Sequence, residues 1–195
     1  FTYFKHQKMK NSNLFLLYLL VMAMMLTSCG SVPITGRKQL NLVSDEQVLQ
    51  SSLQSYTSFM STAKISTRKT QSEQVTRVGK KIAAATEAYL KSVGLESEIK
   101  NFAWEFNLVK DTEVNAWCMP GGKIVVYEGI MKLMSSDAEL AVVLGHEVAH
   151  AVAKHSNERM SQQMLAEYGA NAVGVLTQGK SSATQTIAQQ VYGLG

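Results

Sequence analysis

Ser136-Asp137-Ala138-Glu139-Leu140-Ala141-Val142-Val143-Leu144-Gly145-His146-Glu147-Val148-Ala149-His150 is the stretch on which the reading of this chain turns. Ser136 and Glu139 have the spacing of a capping box, which opens a helix predicted to run from Asp137 to about His155. The helix is apolar around most of its girth, through Ala141, Val142, Val143, Leu144, Val148, Ala149, Ala151 and Val152. Such a helix is buried, and imidazoles and carboxylates carried into a protein interior need partners. Residues four apart share one helical face, so His146 and His150 can address one metal ion. Glu147 lies beside that pair. It is off the plane of the ligands and within reach of a water that the ion activates. Two blander readings compete: core histidines bonded to backbone beside a fortuitous glutamate, and a metal site without catalysis.

A catalytic zinc takes three protein ligands and keeps one position open. His155 comes five residues after His150, roughly 140° around a continuous helix, and no glycine turn brings it back. Glu158 and Glu167 would each need the chain to fold back sharply. The third ligand is therefore expected beyond Gly195.

Outward from this helix the chain alternates between two periodicities. Ser44 and Gln47 form another capping box, predicting a helix to about Ala63. Val75, Val78, Ile82, Ala85 and Tyr89 recur at helical spacing, predicting a helix over about 72–93 that Gly94 stops. Period two then takes over: Phe102, Trp104, Phe106 and Leu108 alternate with polar or small residues. Residues 113–119 and 123–127 read as two further strands around a tight turn at Pro120-Gly121-Gly122. Helices return after Gly129, the last over roughly 157–176. Helices around a small antiparallel sheet make the fold class α+β. Trp104 and Trp117 read as core residues.

The first 28 residues hold three lysines and no acid, and removing them leaves 16 basic against 15 acidic side chains. That balance gives no electrostatic footprint for a nucleic-acid partner. Lys8 and Lys10 precede a 13-residue apolar run, Leu14 to Leu26. The run fits a signal-peptide core and is short for a spanning helix. Leu26-Thr27-Ser28-Cys29 follows, resembling a bacterial lipobox whose cysteine is acylated. Residues 1–8 are expected to be a non-native upstream extension, since Met9-Lys10-Asn11-Ser12 makes a more natural start. Residues 9–28 are then the signal peptide and 29–43 a lipidated tether broken by Pro33 and Gly36. Residues 44–195 form the N-terminal part of a domain whose C-terminal part is missing. With Cys29 acylated, Cys118 has no disulfide partner. Gly30 after the cysteine, with no acidic run, favours an outer-membrane address facing the periplasm.

His146-Glu147-Val148-Ala149-His150, followed by His155-Ser156-Asn157-Glu158-Arg159, resembles the active-site helix of the HtpX/BepA/CAAX-prenyl-protease family of gluzincins. Asn115-Ala116-Trp117-Cys118-Met119-Pro120-Gly121-Gly122 resembles that family's Asn-Ala-x-x-x-Pro-Gly-Gly segment, and Tyr127-Glu128-Gly129-Ile130 its continuation. The resemblance covers about residues 32–195 and looks nearest to the LoiP-like lipoprotein peptidases. It implies a zincin-like, minigluzincin domain with one Zn(2+) per subunit on His146, His150 and a later glutamate. It further implies endopeptidase chemistry with Glu147 as general base. Asn115, Ala116, Trp117 and Cys118 would bind an extended substrate along a strand edge. Implied partners are unfolded or misfolded polypeptides and a lipid bilayer reached through Cys29. Cys118 departs from a position the family often gives to a small or aliphatic residue. A second function stands beside the first: a lipoprotein chaperone or assembly factor that holds chains on this fold without cutting them.

Overall fold

The computed structural model describes residues 29–32 and 36–178, the side chains of 29–31 and 172–177 excepted. The signal-peptide reading of 9–28 and the expectations for the C-terminal end lie outside these residues. In chain order the elements are β1 (Cys29–Ser31), β2 (Lys38–Leu40), α1 (Asp45–Thr62), α2 (Lys69–Ser92) and α3 (Glu96–Ile99). They continue with β3 (Glu105–Val109), β4 (Ala116–Met119), β5 (Lys123–Tyr127), α4 (Glu128–Met131), α5 (Asp137–Val152) and α6 (His155–Thr177). No helix among the described residues is long and apolar enough to cross a membrane.

Both capping boxes form. Ser44 Oγ accepts from Gln47 N at 3.2 Å while Gln47 Oε1 accepts from Ser44 N, and Ser136 with Glu139 repeats the exchange at the start of α5. Each box satisfies amides that a helix start leaves unpaired. Helix α2 runs Lys69–Ser92 and is followed by Gly94 at φ 76°. Its buried stripe is Val75, Val78, Gly79, Ala83 and Leu90; Tyr89, expected on that stripe, is 44% exposed.

The sheet is mixed, which corrects the antiparallel expectation. Its strand order is β3-β5-β4, with β5 parallel to β3 and antiparallel to β4. The run Ile124-Val125-Val126-Tyr127 explains why β5 takes the centre. All four side chains are buried, and a strand covered on both faces has no polar alternation to show. Ile124 and Val126 face a core shared with Val75, Val78 and Leu90 of α2 and Leu140, Leu144 and Val148 of α5. Val125 and Tyr127 face the other way, against Tyr56, Phe59 and Trp117. Helices thus cover both faces, α1 on one and α2 with α5 on the other. Phe102 and Trp104 precede β3 instead of lying in it; their rings stack at 4.6 Å.

The two outer strands differ. Along β3, Ser66 N donates to Leu108 O and Lys110 N to Lys64 O, and Ile65 bridges Val109, so the 64–66 segment covers that side. Strand β4 carries no further strand on its outer side among the described residues.

Residues 29–32 and 36–43 are not free chain. β1 and β2 pair as an antiparallel hairpin, with Cys29 opposite Leu40, and Val32, Gln39 and Val43 are buried. The segment docks on α6 through paired bonds from Arg37 to Glu158 and through Leu42 N donating to Ser161 Oγ at 2.9 Å.

Candidate active site

Helix α5 is set in rotation by its apolar side. Leu140, Leu144, Val148 and Val152, four residues apart, are buried, which turns His146 and His150 outward. The two Nε2 atoms come within 3.0 Å of each other, with ring planes at 89°. Two nitrogens, each about 2.0–2.1 Å from one tetrahedral ion, stand about 3.3 Å apart, so the pair fits two ligands of such an ion. Among the described residues no group of three or more His, Cys, Asp or Glu side chains converges on one point. The fit among the described residues is therefore that of two ligands.

Glu147 opens on a cleft of about 560 Å³ together with His150, His155, Glu158, Arg159 and Cys118. Its carboxylate takes no hydrogen bond from a described side chain. Burial, and then the Glu147 charge, push the Cys118 thiol up to about 12. The thiol stays protonated at neutral pH and points its weak donor at Met119 O.

Of the residues expected to bind substrate, β4 splits the set by pleat. Tyr127 N donates to Asn115 O and Gly122 N to Met119 O, so the odd-numbered residues of the strand spend their backbone groups inward. In an antiparallel pair this alternation leaves the amides and carbonyls of Ala116 and Cys118 on the open side. The side chain of Cys118 packs toward α5, while that of Trp117 packs away from it. The Trp117 ring meets Tyr56 and Phe59 edge-on and its Nε1 donates to Tyr127 Oη at 3.3 Å. Trp117 is thus half-buried against the core, as is Trp104 on the opposite face. Asn115 Nδ2 donates to Glu113.

His155 is where the sequence reading and the structure part. Helix α5 ends at Val152, not at about His155, and Lys154 reverses the chain at φ 55° without a glycine. Lys154 Nζ reaches Asp45 at 2.6 Å and Glu98 at 3.1 Å, and Asn157 Nδ2 donates to Asp45 at 2.7 Å. Burial alone would lower the Lys154 ammonium; the two carboxylates overcome it and raise it. The reversal starts α6 at His155 and lays that imidazole against His150, Nδ1 to Nδ1 at 2.5 Å. His155 thus meets the nitrogen of His150 that faces away from His146. Burial, then His150, hold its own pKa below the usual imidazole range. Glu158 pairs with Arg37 rather than with Arg159, and Arg37 holds its carboxyl below the ordinary range. Sequence spacing offered no sign of Arg37–Glu158, which spans 121 positions.

Two imidazoles converging on an outward helical face, with a carboxylate beside them and a strand edge nearby, define the class: a metallopeptidase scaffold. The chain belongs to peptidase family M48, whose family model matches residues 69–194. It is 43% identical over 74 residues to the mitochondrial metalloendopeptidase OMA1 of Arabidopsis thaliana, covering 38% of this chain and 15% of the relative. Against the human mitochondrial metalloendopeptidase OMA1 it is 26% identical over 139 residues, 70% of this chain and 25% of the relative. Against the metalloprotease YcaL of Escherichia coli (strain K12) it is 32% identical over 115 residues, 59% of this chain and 39% of the relative. In each case the matched stretch spans well under half of the relative's length.

Proposed function

We propose that this chain carries the zinc-binding helix of a membrane-tethered metalloendopeptidase of the bacterial cell envelope. It would hydrolyse peptide bonds in misfolded or unassembled polypeptides. The observation that carries the reading is the approach of His146 Nε2 and His150 Nε2 to 3.0 Å, beside a Glu147 that lines the same cleft as His150. Bound zinc supplies Lewis-acid polarisation and a lowered water pKa at this position. His146 and His150 hold it, with a glutamate beyond Gly195 as the third ligand. Glu147 takes the proton of the attacking water and returns it to the departing amine. The open amides and carbonyls of Ala116 and Cys118 would pair with an extended substrate as an added strand, with Asn115 and Trp117 flanking them. Backbone pairing of that kind selects for unfolded chain more than for side-chain identity. The Thr27-Ser28-Cys29 sequence supports a lipid on Cys29, and so an outer-membrane position facing the periplasm.

Glu147→Gln in the full-length protein tests the reading. Zinc content should stay stoichiometric while cleavage of an unfolded test protein falls by at least about a hundredfold, the contribution typical of a positioned general base. Cleavage that survives the change would remove Glu147 from the chemistry. An envelope phenotype that survives it would favour a chaperone that holds chains without cutting.

A further inference from the structure

Four side chains near the cleft have no place in the chemistry above: Lys154, His155, Arg37 and Glu158. His155 is the one whose contact bears on a proposed ligand. For His150 to offer the Nε2 lone pair to a metal, the neutral imidazole must carry its proton on Nδ1. That Nδ1 stands 2.5 Å from His155 Nδ1. Two facing ring nitrogens form a hydrogen bond only when one is protonated and the other is not. His155 must then accept at Nδ1 and keep its own proton on Nε2.

We propose that His155 is a positioning residue for His150: its Nδ1 accepts the His150 Nδ1–H, which fixes the tautomer and ring angle that aim His150 Nε2 at the metal. The inference rests on the reading of His146 and His150 as ligands. Ligand histidines commonly have such an outer partner, usually a carboxylate or carbonyl, and here another imidazole occupies the place. The backbone supports the assignment. Lys154 holds a left-handed conformation that a residue with a Cβ adopts only when its surroundings impose it. Asp45 and Glu98 impose it from α1 and α3, and Asn157 ties the start of α6 to the same Asp45. Without that reversal the residue after Lys154 would continue around α5, away from His150. The ion pairs of Lys154 thus seat the His155 ring.

The test uses the full-length protein carrying Glu147→Gln, so that no self-cleavage intervenes, and zinc alone as the probe in a chelator competition. His155→Leu should weaken zinc binding by about 10–100-fold, the usual cost of removing an outer-shell partner. His155→Asn places an amide oxygen near the lost Nδ1 and should restore affinity to within about threefold, since the acceptor is what matters. Nitrogen-15 shifts of His150 in the metal-free protein should report a proton on Nδ1 in the parent and in His155→Asn, and lose that preference in His155→Leu. Equal affinities for parent and His155→Leu would overturn the inference while leaving the ligands intact. Asn and Leu variants equally weak, with metal-free melting lowered in both, would make His155 merely structural and overturn it too. If the parent takes up no more zinc than a His150→Ala control, the ligand assignment itself fails, and this inference with it.

Discussion

Tyr89 and Leu90 are neighbours on α2, and the sequence pattern and the structure disagree about which one faces the core. Helical spacing from Val75 and Val78 points to Tyr89; the structure leaves Tyr89 44% exposed and buries Leu90 completely, at 0%. Leu90 packs in the cluster that also holds Leu140, Leu144 and Val148, the residues that set the rotation of α5. Truncating a buried leucine removes about 1.5–3 kcal/mol of transfer free energy. The cavity left behind brings the whole cost of Leu90→Ala to about 3–5 kcal/mol. In a domain of this size each kcal/mol moves the melting point by about 2–4 °C, so Leu90→Ala should lower it by about 6–20 °C. Tyr89→Ala gives up a ring that already keeps much of its surface in water, and should cost about 1 kcal/mol, or 2–4 °C. Urea titrations followed by circular dichroism read both, and unchanged m-values would show that the unfolded reference has not shifted. A Tyr89→Ala loss equal to or larger than that of Leu90→Ala would mean that α2 is turned by about 100° from its position here. The packing that aims His146 and His150 outward would then have to be redrawn.

Two further outcomes follow from single atoms. A Cβ added at Gly129 would stand 2.1 Å from Glu113 O and 2.3 Å from Thr112 O, both backbone atoms. Gly129→Ala should therefore destabilise by about 1–3 kcal/mol in equilibrium unfolding, as overpacking does; a neutral result would mean that the 112–113 loop does not lie there. Cys118, with its thiol pushed up to about 12 by burial and by Glu147, is protonated at pH 8. In metal-free protein it should resist iodoacetamide at that pH and react freely once urea unfolds the chain; fast alkylation of the folded form would contradict the packing of its thiol toward α5.

What could be read from sequence was whatever is local. Ser44 with Gln47 and Ser136 with Glu139 announced two helix starts, because a capping box is complete within four residues. The i,i+4 spacing of His146 and His150 announced their common face for the same reason. The strand over 123–127 was legible, but its place at the centre of a mixed sheet was not, although Ile124-Val125-Val126-Tyr127, four apolar residues in a row, fits burial on both faces. Register between β3 and β5 depends on segments eighteen positions apart, and no local rule fixes it. The reversal at Lys154 escaped because a left-handed residue is expected to be glycine or asparagine. Here a lysine is held in that conformation by Asp45 and Glu98, 109 and 56 positions away in sequence. The docking of 36–43 on α6 was hidden likewise, since Arg37–Glu158 and Leu42–Ser161 are both long-range.

The β1–β2 hairpin bears on how far such a protein could reach. Fifteen residues of loose chain, 29–43, would let a domain wander about 50 Å from its point of attachment. With Cys29 opposite Leu40 and the returning strand bonded to α6, residues 29–32 and 36–43 are held close to the domain as a bracket. An acyl group on Cys29 would then set the altitude of the cleft above the bilayer by protein geometry. Candidate substrates would be sorted by how close to the lipid surface their unfolded segments emerge.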